Sequence, residues 1–155
     1  MIDDEILLKQ LEANDCEELF KLTEKNAEYL VPWFGWASNI SLENTKRFIK
    51  KSRKKNIKRK GCDLGIYYKN ELVGVIALMN YDKKITVEAE IAYWLSKDHG
   101  GKGIMTRVCR KVEEYCFTKL NFDTLYILAF AENKASRNIP EKLGFDIVDA
   151  DMDPT

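Results

Sequence analysis

Residues 88 to 108, EAEIAYWLSKDHGGKGIMTRV, gather the groups of this chain most able to do chemistry. Glu88 and Glu90, two apart on a strand-like run, share one face and place a carboxylate where a proton could be taken up. Gly100, Gly101 and Gly103 surround Lys102 just where the pattern turns helical. Glycines let consecutive backbone N–H groups converge, and a helix N-terminus adds partial positive charge, so such a hinge suits phosphate. A plain structural turn with no ligand is the other reading. Two familiar loops are excluded. A Walker A loop needs Gly-Lys followed by Ser or Thr, whereas Lys102 precedes Gly103 and Thr106 comes later. A dinucleotide fingerprint needs a third glycine where residue 106 is threonine. His99, the chain's one histidine, has no Ser or Cys argued to partner it and reads as a loop residue beside the glycines.

The surrounding elements must position these groups. EILLKQL (5–11) reads as a first strand. Asn14 or Asp15 then caps a helix with Leu19, Phe20 and Leu22 on its apolar face. VPWFGW (31–36) is an aromatic loop with Pro32 and Gly35 as breakers. SLENTKRFIKK has Ser41 three before Asn44, with Leu42, Thr45, Phe48 and Ile49 at helical spacing. The basic run KKSRKKNIKRK (50–60) reads either as a phosphate or acidic-partner patch or as a solvated helix end. CDLGIYY and ELVGVIALMNY, joined at Lys69-Asn70, fit a hairpin.

After a turn at DKK, ITVEAEIAYWL alternates Ile85, Val87, Ala89, Ile91, Tyr93 and Leu95 on one face. Thr86, Glu88, Glu90, Ala92 and Trp94 fall on the other. A helix from about Lys102 to Lys119 carries Met105, Val108, Cys109, Val112, Tyr115 and Cys116 as its buried stripe. TLYILAFA (124–131) reads as a continuous apolar strand buried on both faces. ENKASRNIPEKLGF is a short helix closed by Gly144 in a left-handed cap, and FDIVDADMDPT offers one more brief strand with an acidic tail. The class is mixed α/β (α+β), one domain over residues 1–155.

With 155 residues the chain can bury a core without staples. A net formal charge of +0 gives no global pointer to nucleic acid or a membrane surface. No apolar run approaches a membrane span and no leader is visible at MIDDEILLKQ, so the default address is cytoplasmic. Cys16, Cys62, Cys109 and Cys116 form no CxxC pair, and no metal site is expected; Cys109 and Cys116 read as buried apolar positions.

The words AEIAYWLSKDHGGKGIMT and ENKASRNIPEKLGF, in this order of elements, resemble the GNAT acetyltransferase superfamily. Together with YLVPWFGWASNISLENTKRFI they look like its RimJ/RimL branch, over nearly the whole chain. The resemblance implies a mixed, mostly antiparallel central sheet flanked by helices and an acetyl-CoA-dependent N-acetyltransferase. The acetyl group would pass by direct attack in a ternary complex to a primary amine, a protein N-terminus or a small molecule. Gly100, Gly101, Lys102, Gly103, Ile104, Met105 and Thr106 would cradle the pyrophosphate. Backbone groups near Tyr93, Trp94 and Leu95 would hold the pantetheine and the thioester carbonyl.

The resemblance also names chemistry-bearing side chains. Glu90 is the base, directly or through water, with Glu88 as substitute. Ser136 donates a proton to the departing thiolate, while Asn133 contacts the pantetheine arm or caps its helix. Arg137, Asn138 and Lys142 would reach the CoA phosphates, and Trp33, Phe34 and Trp36 would line either the acceptor pocket or the core. The chain departs from the family pattern at three places: Gly100 stands where Gln or Arg is usual, Met105 where Gly or Ala is usual, and Pro140 where a tyrosine acid is common. A C-terminal strand pair expected after KLGF is missing, which predicts an exposed strand edge and either a homodimer or marginal stability. The rival reading, from a different class, is a non-catalytic CoA-binding or protein-interaction module.

Overall fold

The computed structural model describes residues 1–79 and 88–148. The first strand, β1 (Ile6–Gln10), leads through a single 3-10 turn into helix α1 (Cys16–Lys25) and the short α2 (Ala27–Leu30). Contrary to the expectation that Asn14 or Asp15 caps it, α1 has Asp15 at its N-cap position with no side-chain cap hydrogen bond. The Asp15 carboxylate turns back to accept the Glu12 N–H at 2.8 Å, closing the preceding turn, and takes the Tyr67 hydroxyl at 3.2 Å. The aromatic loop is followed by α3 (Leu42–Ile57), capped by Ser41, whose hydroxyl accepts the Asn44 N–H at 3.0 Å. Helix α3 takes in most of the basic run.

Strands β2 (Cys62–Tyr68) and β3 (Glu71–Met79) pair antiparallel across Lys69 and Asn70, both at positive φ as a two-residue turn of matching twist requires. Next come β4 (Glu88–Leu95), α4 (Ile104–Thr118), β5 (Thr124–Tyr126) and α5 (Lys134–Lys142). The five strands lie in sequence order, antiparallel except for the β4–β5 pair, which is parallel. Gly144, at φ 84°, ends α5: Phe145 N–H bonds Pro140 O at 3.0 Å and Gly144 N–H bonds Glu141 O at 3.2 Å.

One core layer packs Ile66, Ile76, Ile91 and Tyr93 against the buried stripe of α4; the other packs Leu19, Ile49, Val75 and Trp94. The alternation of β4 is therefore as the sequence predicts, Ala89, Ile91 and Tyr93 on one side and Trp94 on the other. In β3 the alternation slips. Ile66 faces Gly74 while Tyr67 faces Leu72, so Val73 is an extra residue in the ladder and the strand kinks there. Ile85, Thr86, Val87 and the DKK turn lie outside the described residues, as does the tail from Asp149. Phe145 to Val148 form no strand.

Three further expectations are corrected. Helix α4 begins at Ile104, because Gly101 and Gly103 stand at φ 76° and 71° and cannot join a right-handed helix. Tyr115 is 56% exposed; the buried stripe steps from Val108 through Val112 to Cys116 and leaves Tyr115 on the solvent flank. TLYILAFA is a strand only to Tyr126: the backbone then leaves β4, and Leu128 and Phe130 lose the neighbours that would have covered them. Cys109 and Cys116 are buried as expected, and burial pushes both thiols up to about 12, away from nucleophilic chemistry at neutral pH. Among the described residues no helix is long and apolar enough to cross a membrane.

Candidate functional site

Two neighbouring strands that part company make the site. Strand β5 pairs with β4 only at Glu88–Thr124, Ala89–Leu125 and Glu90–Tyr126. Strand β4 runs on to Leu95, held on its other side by β3 through the Gly74–Leu95 pair. From Ile91 onward the β4 edge turned towards β5 has no strand neighbour among the described residues. Alternate N–H and C=O groups of Ile91 to Leu95 therefore open into a fork. Gly74 makes the close approach possible: a Cβ there would collide with the Trp94 carbonyl oxygen. Ser96, buried, is fixed next by its N–H to Val73 O at 2.7 Å, and the Lys97 N–H donates to Asn26 Oδ1 at 2.9 Å. Asn26 is itself buried and donates to Leu22 O at 2.8 Å, so α1 holds the far end of β4 in place.

The glycine turn forms one lip of the fork. A Cβ at Gly101 or Gly103 would meet nothing within 4 Å, so the turn is an open cradle and not a packed one. The first hydrogen bond inside α4 runs from Arg107 N–H to Gly103 O at 3.1 Å. The amides of Ile104, Met105 and Thr106 thus have no intrahelical acceptor and present three donors at a positive helix end. Helix α5 forms the opposite lip. Asn133 caps it, its Oδ1 accepting the Ser136 N–H at 3.3 Å. The Tyr93 hydroxyl donates to Ser136 O at 2.8 Å and so ties β4 to the first turn of α5 across the base of the fork. Burial holds the Tyr93 phenol protonated well beyond its usual range, consistent with a fixed donor.

The resulting cleft has a volume of about 320 Å³. Its lining takes in Tyr93 to Leu95, Gly100, Gly101, Gly103 to Thr106, Asn133 and Ser136 among the residues singled out from sequence. Asn138 and Lys142 also line it, whereas Arg137 turns away to Ala131 O at 2.8 Å and to Glu141. Lys102 lies outside, its ammonium 5.9 Å from the centre of the Tyr68 ring. Glu90 is 8% exposed and, like Glu88, is not part of the cleft wall. His99 borders the cleft, its ring edge-on to Tyr68.

Trp33 and Phe34 line the cleft; Trp36 instead stacks between Phe34 and Trp94, at 5.6 and 6.0 Å. Sequence reasoning missed Asn26, Tyr29, Leu30 and Ser96. A buried asparagine five residues before the aromatic loop leaves no periodic signal. The Tyr93–Ser136 link joins residues 43 apart in sequence.

A parallel fork with an amide-rich helix start on one lip and a capped helix on the other suits an elongated ligand that carries phosphate at one end. Residues 5–146 match the family model described as acetyltransferase (GNAT) domain, and the chain belongs to that family. It is 36% identical over 146 residues to a Bacillus subtilis (strain 168) protein described as "Putative ribosomal N-acetyltransferase YdaF", covering 93% of this chain and 79% of that one. The solved structure of the microcin C7 self-immunity acetyltransferase MccE, in complex with acetyl-CoA and AMP, superposes with a TM-score of 0.86 at 28% identity, covering 92% and 79% of the two chains. RimL, a ribosomal L7/L12 α-N-protein acetyltransferase in complex with coenzyme A, shares the fold with a TM-score of 0.83 at 20% identity, covering 92% and 80%. The chain is thus an acetyltransferase of the GNAT family.

Proposed function

We propose that the protein is an acetyl-CoA-dependent N-acetyltransferase acting on a primary amine, a protein N-terminus or a small molecule, by direct attack within a ternary complex. The observation that carries this reading is the fork itself: an edge of β4 that beyond Glu90 has no strand neighbour among the described residues, facing an open glycine cradle across one continuous cleft. Acetyl-CoA supplies an activated acyl group as its thioester. The amides of Gly101 to Thr106 receive the diphosphate. The open edge of β4 at Tyr93 to Leu95 runs alongside the pantetheine and directs N–H groups at the thioester oxygen, where negative charge develops. The amine nitrogen bonds to the carbonyl carbon, the C–S bond breaks, and the amine's proton leaves.

Because Glu90 stands off the cleft wall, proton removal by it runs through water and not by direct contact. Ser136, on the first turn of α5 and in the cleft lining, is the proposed donor that returns a proton to the thiolate. Titrating free CoA release with acetyl-CoA and a panel of N-terminal peptides and small amines tests the reading. Thiol release with at least one amine is expected; its absence across the panel overturns it. Glu90→Gln lowers kcat and changes the shape of its pH profile if the relay runs through this carboxylate, and an unchanged profile assigns proton removal to solvent alone.

A further inference from the structure

We propose that α3 and the groove beside it form a docking surface for an acidic, amphipathic segment of a partner protein. Ten of the chain's 25 Lys and Arg residues fall between Lys46 and Lys60 with no acid among them, although the net charge of the whole is +0. The charge is thus segregated onto one helix and its C-terminal turn. Among the described residues only Arg47, with Glu43, and Lys55, with Asp63, form ion pairs within this run. The other cations are unspent.

The patch is more than a charged surface. A groove of about 400 Å³ runs between α3 and the start of α1. Buried Cys16 and Ile49 lie at its bottom, exposed Ala13 and Ile57 add apolar surface beside them, and Lys46, Lys50, Arg53 and Lys54 complete its lining. These α3 residues recur at helical spacing, so one stripe of the helix presents aliphatic carbon between ammonium and guanidinium groups. Ile57 is 79% exposed at the groove's end. Phosphate backbones need cations alone and gain nothing from an apolar lining. A peptide helix with leucine-like side chains on one face and carboxylates flanking them covers the apolar lining and neutralises the cations together.

The groove shares no residue with the fork cleft. An occupant therefore leaves the cleft open, and the inference stands apart from the acetyl-transfer reading.

The test uses the full chain and a fluorescein-labelled peptide of leucine and glutamate at amphipathic helical spacing, as long as α3. A scrambled peptide of the same composition and an RNA hairpin serve as comparators in fluorescence anisotropy. The amphipathic peptide is expected to bind best, and the double substitution Lys50→Glu, Arg53→Glu to weaken it by about tenfold or more. Ile57→Asp should weaken it as well, while CoA release with a small amine stays unchanged. Equal or tighter binding of the scrambled peptide or the RNA overturns the proposal, as does indifference to these substitutions. Should a variant fail to fold, hydrogen exchange on the unaltered protein decides: peptide-induced protection within 46–57 supports the site, and protection elsewhere only, or none, refutes it.

Discussion

At the scale of single residues, the cradle rests on glycines whose freedom is used and not merely tolerated. Gly103 stands at φ 71° with open space where a Cβ would be. Gly103→Ala therefore meets no clash, and its folding cost is the left-handed backbone alone, about 1 kcal/mol, or a melting temperature lower by roughly 2–4 °C. The added methyl would, however, project where the diphosphate is proposed to lie. Acetyl-CoA affinity should fall by about tenfold or more, the equivalent of one charge-assisted hydrogen bond, as read by calorimetry. A variant that is destabilised yet binds acetyl-CoA normally would remove Gly103 from the cradle. Gly100 gives the contrasting case. The resemblance flags it as a departure from Gln or Arg, and it lines the cleft with no side chain to offer, so under the proposed function the neighbouring amides would hold the anion.

At the scale of elements, the shape of the fork depends on how closely β3 and β4 approach at their far end. Gly74 lies directly against Trp94 and Leu95, where the obstacle to any side chain is β4's own backbone. Gly74→Ala must push the two strands apart. Backbone yields less readily than side chain, so a loss of about 2 kcal/mol is expected by denaturant titration, with KM for acetyl-CoA raised because the open edge of β4 shifts. An unaltered KM would show that the edge is held by Ser96 and Asn26 instead. Most of this architecture was legible beforehand. Period-two alternation in β4, the Lys69-Asn70 turn and the Gly144 cap are local signals, and local rules decided them. What escaped were relations between distant segments. TLYILAFA reads as buried because it is apolar, yet its burial depends on whether β4 stays beside it, and the fork ends that companionship at Tyr126. Val73 is the extra residue in the β2–β3 ladder, which no window of β3 alone reveals. Asp15 looks like a cap by position but answers to Glu12 and Tyr67.

At the scale of the whole molecule, two surfaces besides the α3 groove stay open among the described residues. Among the described residues β5 pairs with β4 on one side only and ends the sheet order, and Leu128, Phe130, Ile147 and Val148, all later in the chain, are exposed. An unpaired edge and exposed apolar side chains invite a second copy. Sedimentation of this chain should show concentration-dependent dimers that Ile147→Ser with Val148→Ser weakens, and a monomer at all concentrations would refute this. The fork is the other open surface, and it makes a quantitative demand. A donor that binds only the folded state at a hundredfold excess over its Kd adds about 2.7 kcal/mol, or roughly 5–10 °C in melting temperature at this chain length. If the amides opening α4 hold the diphosphate, most of that gain belongs to the nucleotide half of acetyl-CoA. S-acetylpantetheine keeps the thioester and the arm along β4 but lacks the diphosphate, so at equal concentration it should shift the melting temperature by little. A fragment that stabilises as well as the whole coenzyme would mean that β4 alone binds the donor and that the glycine turn only changes the direction of the chain.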